Sequence, residues 1–183
     1  MKIANLYHIT QVRAGGGFGG CVYLLPLRIA SGSRIAARCQ SSTGSSTVDV
    51  EVCLLNGVGG GLSTCETCGA DTANTRGTAI TSGAAQHVKG NYSQLIASTG
   101  GQYRFCVFSM HLIISYKWLV DLATGSAQNE VVIVDNLAAS LYDSDQIIVP
   151  LPLTIASASR IAARCQTADG VNIPFYGILY GCY

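Results

Sequence analysis

One stretch of this chain occurs twice, and it limits the possible folds more than any other feature. Residues 25–44 read LPLRIASGSRIAARCQSSTG, and residues 151–170 read LPLTIASASRIAARCQTADG. The copies are offset by 126 residues and agree at 15 of 20 positions. The core SRIAARCQ is unbroken in both, at 33–40 and 159–166. Agreement of this kind marks an internal duplication, and a period this long is a domain or half-domain rather than a solenoid repeat.

Each copy reads as strand, tight turn, strand. An apolar run (LLPLRI or IIVPLPLTI) precedes a turn of small residues, ASGS or ASAS. That is the signal of a hairpin. The second strand alternates with period two. Ile35, Ala37 and Cys39 point one way, and Arg34, Ala36, Arg38 and Gln40 the other. Ile161, Ala163 and Cys165 stand in the same way against Arg160, Ala162, Arg164 and Gln166. A helix is the rival for RIAARCQ, because Ala and Arg are good helix formers. Its short length, the preceding turn and the β-rich sequence after it favour a strand. The apolar set then faces a core, which makes Cys39 and Cys165 buried thiols. The arginines form a ladder on the outer face. That ladder is either a solvated sheet face or a subunit contact through Arg34, Arg38, Arg160 and Arg164, since a planar guanidinium pairs well with carboxylates.

Composition narrows the class. The chain has 183 residues with 21 Gly and only 4 Pro, and it is rich in Val, Ile, Thr and Ser. This is an all-β composition. Charged residues make up 11% and the net charge is +1, against a usual charged share of about 25%. So bare a surface suits a homo-oligomer covered by other subunits, and it gives no support to a nucleic-acid partner, which needs a basic patch. Residues 1–13 hold no apolar run of signal-peptide length. The longest apolar zone, 105–120, is interrupted by His111 and Lys117. It is too short and too polar for a membrane span.

The expected architecture is a jelly-roll-like β-sandwich with a duplicated hairpin and an incomplete N-terminal β-module. Residues 1–62 form that partial module, completed by the other domain or by a neighbour. Residues 63–83 are a Gly/Ser/Thr-rich linker, and 84–183 are the C-terminal β-sandwich. Residues 47–55 read as a third strand, with Val48, Val50, Val52 and Leu54 inward and Cys53 outward. Residues 103–112 and 115–122 look like a strand pair. Residues 129–135 read as a buried strand, and 171–180 as the last strand, equivalent to 47–55. The glycine-rich 14–20 follows no strand and opens no helix, so it is not a dinucleotide fingerprint.

Eight cysteines need a use. Cys65 and Cys68 form a lone CxxC. A zinc site wants four ligands, and no second pair or suitably spaced histidine exists. A disulfide, within or between chains, is the preferred use. Flexible exposed positions let a cross-link find its geometry. Cys21, Cys53, Cys65, Cys68 and Cys182 are therefore the candidate inter-chain disulfides. No catalytic constellation is visible, and neither cofactor nor metal is expected. His8, His87 and His111 are isolated, and no GxSxG occurs.

Three runs together resemble a known group. WLVDLATG at 118–125, NEVVIV at 129–134 and LPLTIASASRIAARCQ at 151–166 are similar to a family of tailed-bacteriophage structural proteins. The resemblance spans about 110 residues of the second half and only the hairpin of the first; Ala158 stands where that family tends to have Gly. It implies a non-enzymatic β-sandwich on the virion (decoration, linking, neck or collar) that binds other virion proteins and copies of itself. Such a protein is made in the host cytoplasm, and its cysteines oxidise after release and lock neighbours. The alternative it leaves is a fibre- or spike-associated module that binds host-surface carbohydrate. Tyr103, Tyr116, Trp118 and Tyr176 are the candidate stacking residues for that reading, with a place in the core the preferred use of each.

Overall fold

A computed structural model describes residues 6, 22–40, 50–55, 61–70, 77–111, 116–140, 146–170 and 172–183. Its elements are all strands. They are β1 (Cys65–Cys68), β2 (Thr78–Thr81), β3 (Ser93–Ile96), β4 (Phe105–His111) and β5 (Lys117–Thr124). β6 (Val131–Ser140), β7 (Gln146–Leu151), β8 (Ile161–Thr167) and β9 (Pro174–Cys182) follow. Two antiparallel sheets result. One has the order β1-β9-β4-β7, with β2 also on β9; the other is β3-β8-β5-β6.

The pairing has a simple logic. β5 pairs with β6, β4 with β7, β3 with β8 and β2 with β9. These are four nested antiparallel pairs, and successive pairs alternate between the sheets. A long ribbon rolled up in this way is a jelly roll, which closes a core without a helix. The chain is thus a β-sandwich of that topology.

The core lies between the sheets. Tyr103, Cys106, Phe108, Met110, Trp118, Val120 and Leu122 meet Ile161, Ala163, Cys165, Phe175 and Leu179 there. Trp118 meets Phe175 edge-on, with ring centroids 5.6 Å apart. The outer face of the five-stranded sheet is apolar as well. Val107, Ile178 and Tyr180 are covered by Tyr23, Leu25, Ala70, Phe105 and Ile148. Tyr23 packs edge-on against Tyr180 at 5.4 Å and accepts a 2.6 Å hydrogen bond from Gln146 Nε2. Leu27 bridges to Leu62 in parallel. The N-terminal segment therefore straps the sandwich rather than standing apart from it.

Several expectations need correction. Residues 63–83 are not a linker: β1 and β2 fall inside them and share the edge position beside β9. The strand pair expected from 103–112 and 115–122 is absent, because β4 and β5 enter opposite sheets. β7 and β8 likewise belong to different sheets, so the second copy of the repeat is a corner between layers and not a hairpin. The strand expected to be buried at 129–135 begins an edge strand, with Val131 65% exposed. In the first copy, 33–40 and 50–55 form no strand and are exposed, apart from half-buried Ile35. Residues 14–20 and Cys21 lie outside the described residues.

The repeat's turn is preserved in both copies. Gly32 has φ of +77° and Ala158, its counterpart, +56°. Left-handed backbone is unfavourable for a residue with a Cβ but free for glycine. Ala158→Gly is expected to stabilise the protein by about 1 kcal/mol. It would show as a higher denaturant midpoint at unchanged slope; a lower midpoint would contradict it.

Candidate functional site

The two copies of SRIAARCQ end in different surroundings. In the second, β8 lies between β3 and β5. Ile161, Ala163 and Cys165 are fully buried, and the intervening arginines face outward. Arg160 Nη1 donates to Glu130 Oε1 at 3.0 Å and to the Gly125 carbonyl at 3.1 Å. Its Nε donates to Gln94 Oε1 at 2.9 Å. Arg164 Nε donates to Asp121 Oδ2 at 2.8 Å, and its guanidinium lies 4.7 Å from the Tyr92 ring centroid. Both guanidiniums are therefore occupied within the chain. Arg34 and Arg38 are exposed.

Asp121 is the centre of this outer face. Its side chain is fully buried, yet it stands in register with Arg164 across β5 and β8. Lys89 Nζ binds its other oxygen, Oδ1, and reaches Asn136 Oδ1 at 2.8 Å. The Asn136 amide donates to Oδ1 at 3.0 Å. Asn136 holds φ of +54° to do so, at the irregularity in the β5–β6 pairing. Burial opposes ionisation of Asp121, but the bonds from Lys89, the Asn136 amide and Arg164 outweigh it and hold its carboxyl below the ordinary range. The network ties β5, β6, β8 and the segment before β3 together. Sequence reading missed it. The available signal was a carboxylate in the middle of WLVDLAT, on the same face as the arginine ladder.

The cysteines follow from strand geometry. Side chains three apart on a strand point to opposite faces. Cys65 therefore faces outward and Cys68 inward, and they cannot act as one CxxC site. Cys65 is directly opposite Cys182 in the β1–β9 register, with Cα atoms 4.1 Å apart, and the two form a disulfide. Cys68 Sγ lies 3.3 Å from the Tyr103 hydroxyl, which donates to Glu66 Oε2 at 2.5 Å. Burial pushes the Cys68, Cys106 and Cys165 thiols up to about 12, so they hold little thiolate near neutrality.

Three of the candidate inter-chain cysteines are thus corrected. Cys65 and Cys182 bond to each other, and Cys68 is enclosed. Cys39, expected inward, is exposed, because its strand finds no sheet to enter. Cys53 is exposed, and its thiol donates to Glu51 Oε1 at 3.5 Å. The Glu51 hydrogen bond and charge raise its pKa. Cys106, in the core on β4, was not singled out by sequence. Among the described residues, no three His, Cys, Asp or Glu side chains group where they could hold a metal ion.

The aromatic residues considered for carbohydrate stacking form no platform. Tyr103 and Trp118 are in the core, and Tyr116 and Tyr176 are half-buried. No protein-family model matches the chain, and neither the curated proteins nor the solved structures contain a match.

Two outcomes follow from this chemistry. Asp121→Asn is expected to cost about 3 kcal/mol at pH 7, since it leaves two cations without their counter-charge. A carboxyl with a depressed folded pKa contributes stability above its unfolded pKa and loses it as pH falls through the folded value. The substitution should therefore flatten the fall in stability below about pH 4, as read from denaturant midpoints across pH. The cysteines can be mapped by native alkylation and peptide mass spectrometry. Cys53 should be modified, faster in Glu51→Gln, while Cys68, Cys106 and Cys165 stay protected and Cys65 and Cys182 are recovered as one linked peptide. Modified Cys68 in the folded protein would contradict its assigned burial.

Proposed function

We propose that the chain is a non-enzymatic structural component of a tailed-phage virion, a capsid-decorating, linking, neck or collar protein that binds neighbouring subunits. One observation carries the reading. Among the described residues, ten large apolar side chains are exposed, and seven of them precede residue 56: Leu6, Val22, Leu24, Val50, Val52, Leu54 and Leu55. Exposed apolar surface concentrated in one segment marks an interaction site. The segment belongs to a chain with 11% charged residues, a surface suited to cover by neighbours.

Two further points support the reading. The runs at 118–125, 129–134 and 151–166 resemble virion proteins of tailed phages. The jelly roll is an architecture used by viral capsid proteins, although lectins use it as well, so the fold alone does not decide function. Disulfide locking of neighbours would run through exposed N-terminal thiols such as Cys53, because Cys65 and Cys182 are bonded to each other.

The test is quantitative mass spectrometry of purified particles of the virus that encodes the chain. Many copies per particle, retained through density-gradient banding and salt washing, are expected. Its absence from banded particles, with abundant soluble protein in the infected cell, would overturn the proposal.

A further inference from the structure

We propose that residues 33–40 of one copy add as a strand to the free edge of β6 in a second copy of the same chain; this rests on the assembly reading above and names its contact. The argument starts from identity. SRIAARCQ at 159–166 contributes a central strand, β8, to the four-stranded sheet, with Ile161, Ala163 and Cys165 in the core and Arg164 on Asp121. The same eight residues at 33–40 lie in no strand and, half-buried Ile35 apart, are exposed. A sequence that makes a good strand in this sheet is thus presented without one.

Of the sheet edges, β6 is the longest, although the irregularity at Asn136 interrupts it. Proteins protect an edge by shortness, proline or lysine. β1, β2 and β3 are four residues each, and β7 carries Pro150. β6 is ten residues long, VVIVDNLAAS, with neither Pro nor Lys. Among the described residues it pairs only with β5. Val131 and Val132 are 65% and 40% exposed at its start.

Charge and pattern match as well. Inward-facing Val134 and Leu137 of β6 pack against the core. A fifth strand in that sheet, with the alternation of β8, would continue that row with Ile35 and Ala37. Its arginines would then fall on the outer face, where Asp135 is exposed. This repeats the pairing of Arg164 with Asp121 two strands away. The chain's own segment leaves the sandwich at Leu27, beside Leu62 and β1. β1 edges the five-stranded sheet and β6 the four-stranded one, and β2, which shares the β9 edge with β1, packs over β3 and β8; we assign the acceptor to another copy. Donor and acceptor are different surfaces. The contact is therefore head-to-tail, and it builds a ring or an open chain.

Two full-length variants test this by sedimentation velocity. Arg34→Glu with Arg38→Glu disables the donor, and Asp135→Arg disables the acceptor edge. All three residues are exposed, so folding should be unaffected, as circular dichroism would check. The unaltered protein is expected to associate with rising concentration, and each variant alone to associate at least tenfold more weakly. Mixed together, the variants should regain association, because the native surfaces pair and the reversed charges of one variant meet those of the other. A monomeric unaltered protein at every concentration, variants that associate like it, or a mixture that associates no better than either variant alone would overturn the proposal. A chain found in particles but monomeric in solution would remove this contact while leaving the virion reading in place.

Discussion

Each of the last three strands is held by an earlier one. β7 pairs with β4, β8 with β3 and β9 with β2. A rolled ribbon needs both halves, so a partner for each strand is a requirement. Residues 151–182 satisfy it. Residues 33–40 repeat the sequence of β8, yet among the described residues no strand lies beside them. The exposed valines and leucines of the first copy, and exposed Arg34, Arg38 and Cys39, accompany that missing neighbour.

The sandwich itself is pinned at two places by chemistry more specific than apolar burial. The Cys65–Cys182 disulfide fastens the short edge strand β1 to β9 across a sequence separation of 117. Closing so long a loop restricts the unfolded chain strongly. On the opposite sheet, Asp121 gathers Lys89, Arg164 and the Asn136 amide. A buried carboxylate is tolerated only when its charge and hydrogen bonds are answered, and removing one partner costs more than the pair contributes. The N-terminal segment adds a third restraint, since Tyr23 and Leu25 cover apolar residues that the five-stranded sheet turns outward.

Much of the fold was legible in the sequence, and what was not has physical reasons. The alternation of Ile161, Ala163 and Cys165 with Arg160 and Arg164 gave both faces of β8, because period two is a local property. The sheet to which each strand belongs is not local. β7 and β8 looked like a hairpin because the turn at Ala158 is tight, yet nested pairing sends them to different layers. The disulfide needed the β1–β9 register, which no spacing within CETC reveals. Cys39 and Cys165 sit in identical octapeptides and have opposite exposures, so their environments are set by the presence or absence of neighbouring strands. Asp121 was visible as an anomaly in an apolar strand, but Lys89 and Asn136 reach it only through the tertiary fold.

The central claim is that the first copy is a strand awaiting a sheet. Amide hydrogen exchange tests it most directly, with the second copy as an internal control of identical core sequence. Peptides covering 33–40 and 159–166 are distinguished by their flanking residues. The amides of 159–166 should be protected at every protein concentration. Those of 33–40 should exchange freely in dilute protein and become protected as the chain assembles. Protection of 33–40 in the dilute monomer, or free exchange within the assembly, would contradict the account.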